Sequence, residues 1–167
     1  MRQSWVAKLS AAALGLVLAG AAGAQSFAPL GLSVRAGVFL PTSGDARDAG
    51  NSWFAGGIDY KLSSLSLPAP GIGSQYLSLS ADYYEKDSFR AIPIAINYNL
   101  RMSKLVYSIG VGVDFDRVGS DSTGIGGQAA ISYELGPSPT PVFLQLKYFV
   151  SSKSDLDGFA GYVGVKF

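Results

Sequence analysis

The chain contains no histidine and no cysteine. The missing cysteines exclude disulfide frameworks and thiolate metal sites. The missing histidines remove the commonest general base, so neither a Ser-His-Asp triad nor an Asp-His pair can be assembled. Charge is scarce as well. Charged residues make up 15% of the chain, the formal net charge is +1, and no basic block occurs, so nucleic acid is not an expected partner. Hydrophobic residues reach 48%, yet there is no long apolar run past residue 31 and no helical stripe of useful length.

What is present favours strands. The chain has 21 Gly, nine Tyr and nine Phe, a mixture suited to extended segments and tight turns. Its 167 residues correspond to one domain with a real core. The first stretch, MRQSWVAKLSAAALGLVLAGAAGAQS, stands apart. Cations at Arg2 and Lys8 precede an apolar run from Leu9 to Ala22 and the small-residue pattern Ala22-Gly23-Ala24. That order predicts a secretory signal peptide over 1–24, cleaved after Ala24, with 25–167 as the exported domain. A signal anchor that stays attached is the alternative, but the run is shorter than the roughly 20 apolar residues a spanning helix needs.

Eight runs alternate with a period of two: 32–40, 53–62, 76–84, 91–100, 105–115, 125–135, 142–151 and 159–167. Each has about the length that a tilted strand takes to cross a bilayer. Between them lie turn-forming stretches such as PTSGDARDAGN, EKDSF, DRVGSDSTG and GPSPTP. An even number of strands brings the two termini to one end. The predicted fold is therefore all-β, an eight-stranded antiparallel up-and-down barrel.

Alternate side chains face opposite sides of a sheet. One face of these runs is apolar throughout and carries no charge. The other reads as small and polar, with Arg35, Lys61, Lys147 and Lys166 balanced by Asp59, Asp82, Asp114 and Glu134. A balanced set suits a narrow lumen in which every ion must find a partner. With strands running alternately up and down, Tyr60, Tyr98, Tyr107, Tyr133 and Phe167 fall at one level of the apolar face. Phe54, Tyr83, Phe115, Tyr148 and Phe159 fall at the other. Two aromatic rings around an aliphatic band are the girdles of a transmembrane barrel. A soluble lipocalin-like barrel has no reason to sort aromatics by height, and its wet face would carry many Lys and Glu.

On this pattern the chain resembles the small eight-stranded outer-membrane barrels of the OmpA, OmpX and OmpW type. The resemblance spans residues 32–167, and IPIAINYNL followed by LVYSIGVGVDF looks like their fourth and fifth strands. It implies residence in the cell outer membrane, with membrane lipid, the β-barrel assembly machinery and other envelope proteins as partners. Members end in an alternating strand closed by Phe, and GYVGVKF looks like that signal, which makes Val163, Val165 and Phe167 the residues read in assembly. OmpA itself carries a further peptidoglycan-binding domain. Pro93, inside a run, departs from the pattern and predicts a bulge there or a later strand start.

Some resembling barrels are enzymes, but as a class these use histidine, so the expectation is a non-enzymatic envelope component with a side-chain-filled lumen and no cofactor or metal. A narrow channel for small or hydrophobic solutes, as in OmpW-like members, is the second reading, and a soluble binder of an apolar ligand the third. Gly124 to Ala129 fits GxGxxA but opens a strand, where a dinucleotide site needs a helix N-terminus. Asp121-Ser122-Thr123-Gly124 is half of an aspartic protease signature without its second half. Asp114, Asp116, Asp121, Asp155 and Asp157 could offer oxygens to calcium, although solvated loop charge is the plainer reading.

Overall fold

A computed structural model describes residues 31–62, 73–87, 89–118, 120–136, 141–152 and 156–167. The expected signal peptide lies outside these residues. Eight strands form: β1 (Leu32–Pro41), β2 (Trp53–Leu62), β3 (Ser74–Lys86), β4 (Phe89–Met102), β5 (Leu105–Val118), β6 (Ser120–Leu135), β7 (Val142–Ser151) and β8 (Gly158–Lys166). A short helix, α1 (Gly44–Ala49), follows β1. Each strand pairs antiparallel with the next, and β8 returns to β1 in a continuous ladder from Ser33↔Lys166 to Pro41↔Gly158, so the sheet is a closed barrel. Closure gives both edges of every strand a partner, the condition for placing strands in lipid.

The end where β1 starts and β8 finishes is the terminus end; the opposite one is the hairpin-tip end. Strands at the tips run further than their composition suggests. EKDSF and DRVGSDSTG read as loops, but β3 and β4 pair as far as Lys86↔Phe89, and β5 and β6 as far as Val118↔Ser120. Cross-strand hydrogen bonding, already in register, continues past the apolar band and overrides local turn propensity. Asp87 and Ser103 take the left-handed conformation (φ 53° and 57°) that lets the chain reverse within so few residues.

Pro93 produces neither the expected bulge nor a late start. Strand β4 runs through it, and the β3–β4 register is the same on both sides, with Ala81↔Ile94 and then Tyr84↔Ala91. The two intervening pairs are absent from the ladder. Proline has no N–H to offer β3, whereas the pairing of Pro93 with Asp114 on β5 is kept.

The apolar face points outward. Ile125 is 72% exposed, Val111 70%, Ile109 64% and Ile96 55%. A water-soluble barrel would bury such a surface; here the aliphatic wall is that of a transmembrane barrel, and the lipocalin-like reading falls. The expected girdle residues Phe54, Tyr60, Tyr83, Tyr98, Tyr107, Phe115, Tyr133, Tyr148, Phe159 and Phe167 all escape burial, and the Tyr148 and Phe159 rings lie 4.6 Å apart. Val163 is half-buried on the same face, and Val165 is fully buried.

The inner face corrects the expectation of small, polar residues. Phe39, Trp53, Tyr84, Phe143, Phe149 and Tyr162 all point inward and are buried. Their parity in the strands matches that of the polar set, so the lumen is aromatic over much of its height.

Candidate functional site

The lumen is filled in layers, and its centre is Asp82 on β3. Arg35 on β1 donates to Asp82 Oδ1 from Nε at 3.0 Å and from Nη2 at 2.8 Å. Lys147 on β7 donates to Oδ2 from the far side of the barrel, and the Tyr162 hydroxyl adds a bond to Oδ1 at 3.2 Å. All four side chains are shielded from solvent. The Arg35 guanidinium also lies 5.3 Å from the Tyr162 ring centroid, a cation over an aromatic face. A carboxylate held by two cations and a phenol meets the condition for burying charge, since each ion has partners and Asp82 has acceptors in use on both oxygens.

Glycine makes the central contact possible. Arg35 and Asp82 lie on strands separated by β2, and the residue between them in register is Gly57. A Cβ at Gly57 would stand 2.2 Å from Asp82 Oδ1 and 2.9 Å from Arg35 Nε. Gly110 does the same in the adjacent layer, between Asn97 and Gln128, where a Cβ would stand 2.0 Å from Asn97 Oδ1. In this barrel, bare positions on one strand let side chains from its two neighbours meet above it.

Towards the terminus end comes a layer of neutral polar groups. Asn97 Nδ2 and Gln128 Nε2 donate to Ser80 Oγ at 2.9 and 3.0 Å, and Gln128 Nε2 also donates to Asn97 Oδ1. Lys147 Nζ reaches Gln128 Oε1 at 3.2 Å, joining this layer to the ionic centre. Asn99 donates to Ser78 at 2.8 Å, and Ser78 donates to Asp59 Oδ2 at 3.1 Å. Beyond it, Glu134 accepts Lys166 Nζ on Oε1 at 2.5 Å and Arg101 Nη2 on Oε2.

Towards the hairpin tips the filling is aromatic. Phe39 stacks on Tyr84 with centroids 4.4 Å apart and meets Trp53 edge-on at 5.7 Å, while Tyr84 and Phe149 lie 6.1 Å apart. Leu156 and Ala46, the latter from α1, are buried against this cluster. Trp53 Nε1 donates to the Gly50 carbonyl at 3.0 Å, fastening the end of α1 over the barrel.

Of the eight expected lumen charges, Arg35, Asp82 and Lys147 form one unit, and Glu134 with Lys166 forms a second. Asp59 joins the neutral layer. Asp114 is buried nearer the tips, where Ser151 Oγ donates to Oδ2 at 2.9 Å. Lys61 instead sits exposed at the terminus-end mouth, its Nζ 4.9 Å from the Tyr76 centroid. Sequence reasoning placed Arg101 in a turn and left out Tyr162; strand parity was the signal that would have put both inside.

Gly124 to Ala129 lies within β6, so the GxGxxA match opens no helix. Among the described residues no three His, Cys, Asp or Glu side chains come together as a metal site. Of the acids considered for calcium, Asp157 accepts the Ser151 amide at 2.8 Å, and Asp155 and the side chains of Asp116 and Asp121 lie outside the described residues.

No family model matches the chain, and no curated protein matches it. Among solved structures it is similar to one described as the outer membrane enzyme PagL, at 15% identity and a TM-score of 0.49, over 81% of this chain and 98% of that chain. The expectation of a non-enzymatic structural protein is corrected on this finding. It was drawn from the absence of histidine, which excludes histidine-based chemistry and not catalysis as such.

Proposed function

We propose that the protein is an integral barrel of the outer membrane that acts on the lipids packed around it. The observation that supports this is the seal. An aromatic layer, the Arg35–Asp82–Lys147 centre, an amide layer and the Glu134 pairs follow one another along the axis. A lumen filled in this way leaves the outer wall and the two ends as the surfaces on which the protein can work. On that wall, near the hairpin tips, Arg90 Nη2 lies 3.5 Å from Glu85 Oε1, and the guanidinium lies 5.7 Å from the Tyr83 ring. Glu85, Arg90 and Tyr83 share the lipid-facing parity, at the height where an aliphatic wall gives way to headgroups. They are the polar groups this reading assigns to headgroup contact.

Signal-peptide removal, kinship with the OmpA, OmpX and OmpW barrels, delivery by the assembly machinery through Val163, Val165 and Phe167, and contacts with other envelope proteins belong to the same proposal. The test is to refold the protein into outer-membrane lipid extract and follow both retained and chemically altered lipid by mass spectrometry. The expected result is a headgroup-bearing lipid that is retained or altered by the wild type and lost in the Glu85→Ala/Arg90→Ala variant. Lipid that is neither retained nor altered, or equal behaviour of the variant, would refute the reading.

A further inference from the structure

The two ends of the barrel carry opposite charge. At the hairpin-tip end, segments 42–52, 85–90, 116–124 and 152–158 contain eight acids and five bases. At the terminus end the balance reverses: Lys61, Arg101, Lys104 and Lys166 stand against the side-chain carboxylates of Glu134 and, two residues deeper than Lys61 on β2, of Asp59, which accepts from Ser78. The stretches 62–74 and 136–141 contain no charged residue in sequence.

Glu134 is already saturated. It is 4% exposed and holds Arg101 on one oxygen and Lys166 on the other. Both cations nevertheless keep a face towards water, with side chains 45% and 27% exposed. Lys61 rests on the Tyr76 ring, which shields its stem without cancelling its charge. Lys104 is exposed on the β4–β5 turn, where its carbonyl accepts the Glu134 amide at 2.8 Å and so ties the turn to the mouth. Lys61, Arg101 and Lys166 have lumen parity on β2, β4 and β8. They therefore line the half of the mouth that runs from β8 through β2 to β4, and none of the three belongs to the wall that meets lipid.

We propose that this mouth is a docking surface for an acidic polypeptide segment in the aqueous compartment it faces. The cations come from three strands and a turn along one half of the opening, so a single small anion could meet only some of the set. A chain of carboxylates can span it. Lipid headgroups lie beside the wall, outside Tyr60, Tyr107 and Tyr133, whereas these charges converge over the opening. Aromatic faces beside the cations, Tyr76 under Lys61 and Phe143 with Lys166 Nζ 5.5 Å from its centroid, add apolar surface that suits peptide side chains. The inference needs the barrel fold and does not depend on the lipid-directed reading above.

The probe is fluorescein-labelled poly-L-glutamate, titrated against full-length refolded protein in zwitterionic micelles and followed by anisotropy. Saturable binding is expected, weakened as salt shortens the Debye length from about 10 Å at 0.1 M to about 3 Å at 1 M. Lys61→Gln/Lys104→Gln leaves both Glu134 pairs intact and should weaken binding roughly tenfold, the order expected when rim charges steer and hold an opposite charge. Arg47→Gln/Lys86→Gln at the opposite end removes the same amount of charge and should leave binding unchanged. Heat-dependent gel mobility establishes that each variant is folded. No binding, equal binding by the Lys61/Lys104 variant, or an equal loss in the Arg47/Lys86 variant would overturn the proposal. So would displacement of the probe by a few mole percent of phosphatidylglycerol in the micelle, which would make the mouth a headgroup site.

Discussion

Arg35 and Asp82 form an ion pair across a strand to which neither belongs, at 2.8 Å, with both side chains almost fully withdrawn from water. Gly57 lies between them, and the space above it is the space the pair occupies. Substitution of Gly57 by Val is therefore expected to force the partners apart without touching either. The cost should be that of breaking a buried pair, about 3–5 kcal/mol. A fall in the urea midpoint of the refolded barrel would measure it. An unchanged midpoint would mean that the pair tolerates a side chain beneath it.

Removing the acid alone is expected to be as severe. Asp82→Asn leaves Arg35 and Lys147 buried without the carboxylate they share, again a loss of about 3–5 kcal/mol. Replacing the whole unit, Arg35→Met/Asp82→Leu/Lys147→Met, should recover most of that loss, because an apolar core of similar volume needs no ion partners. Equilibrium unfolding of the single and triple variants in the same lipid checks both statements. A triple variant worse than Asp82→Asn would show that the ions stabilise the barrel outright.

The wall and the tips should respond differently to charge. Val111→Lys, at a position 70% exposed in the aliphatic band, is expected to cost about 2–4 kcal/mol in bilayers. Thr123→Lys, on the same face but close to the hairpin tip, should cost about 0–1 kcal/mol. Folding yield into vesicles, read by heat-dependent mobility, distinguishes the two. Equal yields would place the bilayer elsewhere along the strands.

Much of this architecture could be read from residue order. Alternation identified eight strands and gave each its outward face, because parity survives errors in strand limits. Lys166 and Glu134 could be assigned to the lumen on parity alone. The same rule also places Phe39, Trp53, Tyr84 and Phe149 inside, against the expectations that aromatics gather at the girdles and that a narrow lumen holds small residues. What parity could not supply was register. Only the pairing of three strands shows that Arg35, Gly57 and Asp82 share a row, so the link between abundant glycine and long polar side chains was not visible in the sequence. The reach of β5 and β6 past the band was hidden for a related reason: DRVGSDSTG is rich in turn formers, and only its pairing with the neighbouring strand reveals an extended conformation.

The aromatic layer provides a further test. Phe39→Ala removes the ring stacked on Tyr84 and meeting Trp53, and should cost about 3–5 kcal/mol through the cavity left behind. It should not open a path, because the Asp82 centre lies below and is untouched. Thermal unfolding would record the first effect and ion flux through vesicles the second. Flux in Phe39→Ala alone would show that the aromatic layer is the whole barrier.

The most direct measurement is single-channel recording of the refolded wild-type protein in a planar bilayer. A lumen closed by successive aromatic, ionic and amide layers is expected to give an electrically silent membrane, with insertion verified independently by protease protection. Steady, large conductance steps from correctly inserted protein would contradict the seal, and with it the view that the barrel works at its surfaces.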